Sequence, residues 1–136
     1  MEYTFEKKYE LTKKAFDNSY SKYSKFKVGA LLILKNGEFI IGTNVENASF
    51  GLTNCAERSA LFAAYSQGYR QDDILELVIM ADSDKLTYPC GACRQVIMEL
   101  MNHDAVVTLI NLDKKTLTMK VSDLMPGYFG EEYLNV

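Results

Sequence analysis

Between Phe5 and Tyr20 the apolar residues Phe5, Tyr9, Leu11, Ala15, Phe16 and Tyr20 form one broad stripe among lysines and glutamates, the spacing of an amphipathic helix. Beyond it the period changes. The segment "VGALLILKNGEFIIGTNVE" sets two apolar runs on either side of Asn36-Gly37, and it predicts an antiparallel hairpin because that pair accepts the positive φ angles of a tight turn. Gly29 and Gly42, toward the outer ends of the hairpin, mark tight backbone contacts. A helical pattern returns at Cys55 and runs through "AERSALFAAYSQG", where Ala56, Ala60, Ala63 and Ala64 allow close packing and Gly68 is the stop. "LELVIMA" and "AVVTLIN" are short, β-branched and apolar, as in strands covered on both faces, and "GACRQVIMELM" between them reads as a helix. That order is a strand-helix-strand crossover. "LTMKV" adds a weaker strand, and "SDLMPGYFGEEYL" reads as a short capped helix broken by Pro126 with a final aromatic tail. Together these elements predict an α/β fold, a mixed sheet with helices on both sides and the hairpin as an antiparallel edge.

The chain has 136 residues, enough for one domain with a sizeable core, and no linker, repeat or low-complexity run divides it, so residues 1–136 read as a single domain. Fifteen basic residues against 18 acidic give a formal charge of −3, which argues against a polyanionic partner. The opening "MEYTFEKKYELTKKAF" has neither the apolar run nor the cleavage site of a secretory signal, and no segment approaches the roughly 20 apolar residues of a membrane span. A cytoplasmic location is the expectation. There, reducing conditions favour thiols or metal thiolates over disulfides, and three cysteines cannot all pair within one chain.

Those three cysteines have a suggestive arrangement. Cys55 stands where a polar loop gives way to a helix; Cys90 and Cys93 flank Gly91 and Ala92 where "PCGACR" enters another. Helix starts carry unpaired N–H groups and a partial positive potential, so they favour thiolate over thiol, and two such starts can converge on one metal. Zinc suits soft sulfur donors in tetrahedral geometry, and three protein ligands leave a fourth position for water. His103, the only histidine, lies ten residues beyond Cys93 and could close the site only from the far part of that helix. Glu57, two residues after Cys55, is either a helix-start carboxylate complementing the dipole or, beside an open metal position, a proton carrier for a metal-activated water. Three thiolates also leave a divalent ion with net negative charge. Arg58 is the preferred residue to offset that charge by donating to sulfur, with Arg94 a weaker candidate.

"CAERSA" with "YPCGACRQVI" resembles the zinc-dependent nucleoside deaminase superfamily, whose signature joins a metal ligand, one intervening residue and glutamate to a later P-C-x-x-C. More closely, the chain resembles the small homotetrameric cytidine deaminases that use three cysteines: "FKVGALL", "GTNVENASFGLTNCAERSA", "PCGACRQV" and "LMPGYF" occur in that family's order. The resemblance implies a three-layer α/β/α sandwich around a mixed five-stranded sheet, one zinc per subunit on Cys55, Cys90 and Cys93, and hydrolysis of cytidine and deoxycytidine to uridine and deoxyuridine with release of ammonia. It implies that Glu57 moves protons at N3 and at the leaving amine, that Asn44 and Glu46 hold the sugar hydroxyls, and that Phe26 lines the nucleoside pocket. Backbone groups near Cys90 and the carbonyl of Thr53 or Asn54 are further candidate substrate partners. The resemblance further implies a homotetramer in which Phe129 closes over the base in a neighbouring site. Phe50 departs from the tyrosine common in close relatives, removing a hydroxyl that could bond between subunits.

Other readings of the same residues stay open at this point. "CGAC" can be a redox pair, and three cysteines can be unrelated core residues, although both leave Glu57 without a use. A related deaminase of another nucleoside-like substrate, such as a peptidyl-nucleoside antibiotic, would have the same metal chemistry. Deamination within RNA or DNA would call for a basic patch with interleaved aromatics, which the chain lacks. A noncatalytic zinc-stabilised binding protein has no need of an open metal position or of Glu57.

Overall fold

In the computed structural model, which describes residues 2–134, Thr4 begins the first helix by accepting a hydrogen bond from the Lys7 N–H at 3.1 Å. This helix, α1, spans Phe5–Asp17. It ends earlier than the apolar stripe because the Asn18 N–H closes back on the Ala15 carbonyl, while Tyr20 leaves the helix to bridge Val45. The hairpin follows as β1 (Val28–Leu34) and β2 (Phe39–Thr43), paired from Gly29 with Thr43 to Ile33 with Phe39. Gly37 takes φ 90° in its turn, a conformation that side-chain-bearing residues rarely adopt.

Next come α2 (Ala56–Ser66), β3 (Ile74–Ala81), α3 (Gly91–Leu100), β4 (Val106–Ile110) and β5 (Thr116–Lys120). The five strands form one sheet in the order β2-β1-β3-β4-β5. β3 and β4 are parallel, joined by the α3 crossover, whereas the other neighbouring pairs run antiparallel. This is the mixed sheet that the hydrophobic pattern predicts.

Alternation along the strands supplies two cores. Ala30, Leu32, Leu34, Leu77, Ile79, Val107 and Leu109 face one way and pack with Ala56, Ala60, Leu61 and Ala64 of α2 and with Ile97 and Met98 of α3. Leu31, Ile33, Val78, Met80 and Ile110 face the other way and pack with Leu11 and Phe16 of α1. The result is a three-layer α/β/α sandwich. Both hairpin glycines are points of close approach: a Cβ on Gly42 would lie 2.5 Å from the Ala60 nitrogen and 2.6 Å from the Ala56 carbonyl oxygen, and one on Gly29 would lie 2.7 Å from the Thr12 carbonyl oxygen. Gly42 therefore lets β2 lie directly against the backbone of α2, the helix that begins at Cys55.

The C-terminal segment corrects one expectation. Instead of a short capped α-helix, the chain forms 3-10 turns at Val121–Asp123 and Glu131–Leu134, separated by an irregular stretch containing Pro126. Proline supplies no N–H and disfavours helical geometry in the residue before it, so the helix cannot propagate through this stretch. The Gln95 side chain anchors the segment to α3 by donating to the Phe129 carbonyl at 2.8 Å.

Candidate active site

Cys55 and Cys90 are the N-cap residues of α2 and α3, and neither spends its side chain on a capping hydrogen bond. Cys93 follows in the first turn of α3. Paired hydrogen bonds between Val45 and Asn54, each 3.0 Å, fix the loop that delivers Cys55. At the other helix start, the Arg94 Nε donates to the Pro89 carbonyl at 2.8 Å, bracing the turn that contains Cys90 and Cys93. The outcome is that the three sulfurs lie within 4.8 Å of one another, although Cys55 is 35 positions from Cys90. Their exposure is graded: Cys93 is buried, Cys55 half-buried and Cys90 exposed.

The electrostatics fit a soft divalent cation. The Cys55 thiol is pulled down to about 5, chiefly by a hydrogen bond from Cys93 and also by Arg58, against the opposing effect of burial. Cys93 moves strongly the other way, because it donates that hydrogen bond and is itself buried. Without metal, these two sulfurs share a proton that a thiophilic ion displaces. Arg58 donates from Nη2 to Cys55 Sγ at 3.2 Å, and this bond raises its own pKa further. Its Nε is buried without a hydrogen-bond partner, so the guanidinium is held largely by attraction to the sulfurs. Arg94 instead directs its hydrogen bonds to the Pro89 and Leu124 carbonyls. Three sulfurs at two helix starts with a guanidinium behind them suit zinc.

Glu57, in the first turn of α2, is only 4% exposed. Burial pushes its carboxyl above the usual carboxylate range, and the negative charge of Cys55 adds to the effect. It borders a cavity of about 250 Å³ also lined by Phe26, Asn44, Glu46, Cys55 and Cys90. With Thr53 also on the wall, seven residues singled out in the sequence thus meet around one space. Asn44 is buried, its Nδ2 donating to the Phe26 carbonyl at 2.9 Å and its Oδ1 accepting from the Val28 N–H at 3.0 Å and from the Ser19 hydroxyl. Glu46 accepts at Oε1 from the N–H groups of Tyr23 (2.9 Å) and Ser24 (3.0 Å), and at Oε2 from the Ser24 hydroxyl. The Ser24 hydroxyl is the main reason its carboxyl lies below the usual range.

Some candidates lie elsewhere. His103 bonds through Nε2 to the Met98 carbonyl at 2.9 Å and meets the Tyr128 ring edge-on, so it does not complete the sulfur site. Phe129 is 57% exposed and stacks on Tyr133 at 5.1 Å, outside the cavity of its own chain. Phe50, 70% exposed, meets Tyr23 edge-on at 6.2 Å. The structure also adds Ser24, Thr87 and Tyr88 to the cavity wall. In the sequence they belong to ordinary polar loops; the short spacing from Ser24 to Phe26 was the one available signal, since a serine hydroxyl readily accepts from the N–H two residues on.

An α/β sandwich that gathers three cysteine sulfurs within 4.8 Å and sets a buried carboxyl in the cavity that two of them line has the architecture of a zinc-dependent hydrolase. The sequence profile for the "cytidine and deoxycytidylate deaminase zinc-binding region" matches residues 3–109, and the chain belongs to that family, with zinc as its cofactor. Its relatives include a cytidine deaminase of Halalkalibacterium halodurans, 50% identical over 89% of this chain and 90% of the relative. A cytidine deaminase of Sporosarcina psychrophila is 44% identical over 91% and 90%. Among solved structures, a cytidine deaminase from Burkholderia pseudomallei superposes with a TM-score of 0.90 at 41% identity, covering 93% of this chain and all of that one.

Proposed function

We propose that this chain, as one domain, hydrolyses cytidine and deoxycytidine to uridine and deoxyuridine with release of ammonia. The observation that carries the reading is the cluster of three cysteine sulfurs, two of which, those of Cys55 and Cys90, border with buried Glu57 a cavity of about 250 Å³, a space suited to a small ligand. Cys55, Cys90 and Cys93 are the residues that hold the zinc. When bound there, zinc supplies a water of near-neutral pKa as the nucleophile.

The remaining work falls to side chains. Glu57 takes the proton given up by the nucleophile and delivers it to N3 of the pyrimidine, drawing electron density from C4 and opening it to attack. It then takes the remaining proton of the hydroxyl added at C4 and passes it to the amine, so that the C–N bond breaks as the C4 carbonyl forms and ammonia rather than an amide anion leaves. Burial of the carboxyl within the first turn of α2 keeps bulk water from competing for these protons. Glu46 is unsuited to proton delivery because its hydrogen bonds hold it ionised; with Asn44 it receives the sugar, the carboxylate accepting from a hydroxyl and the amide offering its remaining N–H. Phe26 forms the aromatic wall beside the base. Arg58 stabilises the thiolate form of Cys55 and moderates its electron donation to the metal.

The large exposure of Phe129, Phe50, Leu52 and Leu134 supports assembly as a homotetramer in which Phe129 reaches a neighbouring site. Reduced cysteines suit a cytoplasmic enzyme of pyrimidine salvage, and among the described residues no helix is long and apolar enough to cross a membrane. The test is to follow cytidine and deoxycytidine by absorbance with zinc-loaded protein, identify the products, and measure solution mass. Both nucleosides should convert to their uracil forms. Full zinc occupancy without turnover of either would overturn the reading, and a monomer would overturn the assembly.

A further inference from the structure

The loop between α1 and β1 contains an arrangement that the family's metal chemistry does not require. Lys25 adopts φ 64°, a left-handed conformation uncommon for a residue with a side chain. On its two sides stand Ser24 and Phe26, both lining the cavity. The Lys25 N–H bonds to the Ser21 carbonyl at 2.9 Å, closing a tight turn. The Phe26 N–H donates to Ser24 Oγ at 3.0 Å, and that hydroxyl in turn donates to Glu46 Oε2. A continuous chain of donors therefore runs from the backbone of the aromatic wall, through one serine hydroxyl, to the carboxylate offered to the sugar.

We propose that Ser24 is a positioning residue for the nucleoside's sugar: its hydroxyl fixes the orientation of Glu46 and, through the strained turn at Lys25, the place of Phe26. This rests on the reading of Glu46 as a sugar ligand. Two N–H groups already occupy Glu46 Oε1, which leaves Oε2 as the oxygen with capacity for a substrate hydroxyl. Without the Ser24 bond, that oxygen can rotate away from the cavity or bond to water, and substrate must reorder it on binding. Ser24 itself is exposed at the loop surface, so its hydroxyl contributes little to the buried core.

The experiment measures kcat and KM for cytidine with the zinc-loaded wild type, Ser24→Ala, Ser24→Thr, Glu46→Ala and the double variant Ser24→Ala/Glu46→Ala. Ser24→Ala should lower kcat/KM by about 10-fold, the scale of one hydrogen bond to a charged group, mainly by raising KM. Threonine should restore most of the loss. In the Glu46→Ala background the serine change should cost less than about 2-fold, because the residue through which it acts has gone. Zinc content should match the wild type in both Ser24 single variants, and the thermal midpoint of Ser24→Ala should fall no further than that of Glu46→Ala. An equal loss in both backgrounds, or no loss in either, overturns the role of Ser24. An inactive zinc-loaded wild type overturns the function itself, and an active wild type unaffected by Glu46→Ala overturns the sugar assignment on which the role of Ser24 rests.

Discussion

Replacing Glu57 with glutamine retains the shape of the side chain in its buried position but removes its capacity to exchange protons. The structure sets the size of the effect. Glu57 and Glu46 are the two carboxyl side chains lining the cavity among the described residues, and the second is held ionised by Ser24 and two backbone N–H groups. It cannot substitute as a proton donor. In the proposed mechanism Glu57 serves both N3 and the leaving amine, so its loss removes general acid–base catalysis at two points, and kcat should fall at least about 100-fold, equivalent to about 2.7 kcal/mol of barrier. The assay is loss of cytidine absorbance, with wild type and variant both confirmed at one zinc per chain. The amide remains compatible with a folded helix start, so zinc content and thermal midpoint should change little. A fully loaded Glu57→Gln protein with kcat within about 10-fold of wild type would refute the assignment, since that loss lies below the usual range for a general acid–base group.

Other expected outcomes follow from the same geometry. Arg58→Ala should leave the three sulfurs together but weaken zinc retention by roughly 10- to 100-fold, the usual cost of removing a partner behind a metal ligand, measured by competition with a chelator; unchanged competition would show that Arg58 does not support the thiolates. Gly42→Ala should drive a Cβ into the backbone of α2 and cost about 1–3 kcal/mol, seen as a lower thermal midpoint with impaired zinc binding, and an unchanged midpoint would contradict the close contact. The folded-state pKa of Glu46 is depressed below the ordinary 4.5, so its stabilisation is present above that pH and is lost as pH falls through the folded value. The thermal-midpoint gap between wild type and Glu46→Gln should accordingly be open at neutral pH and close in acid; a gap independent of pH would contradict an ionised clasp.

The sheet was legible because both of its faces are built by alternation. Leu31 and Leu32, adjacent in sequence, enter different cores, and the same period continues through Leu77, Val78, Ile79 and Met80. The Asn36-Gly37 turn and the alanines of α2 likewise act locally and leave local signals. Less could be read where a long-range contact decides: Tyr20 continues the helical stripe yet leaves α1 to bridge Val45, and the segment around Pro126 retains helical features while forming 3-10 turns. The cysteines and Glu57 were recognisable from residue chemistry and spacing. Ser24 was not, because its proposed role comes from its hydrogen bond to Glu46, 22 positions away, and nothing in the local pattern records that meeting. Phe129 is legible only through resemblance, since its proposed role requires a second subunit.

The central claim joins a zinc held by Cys55, Cys90 and Cys93 to deamination of cytidine. Its most direct test is to remove zinc with a chelator under reducing conditions, measure cytidine turnover and metal content together, and then restore zinc stoichiometrically. Activity should disappear as the metal leaves and return in proportion to the zinc rebound, reaching its limit at one ion per chain. Protein that continues to convert cytidine at the original rate after complete metal removal, while remaining folded, would contradict the account.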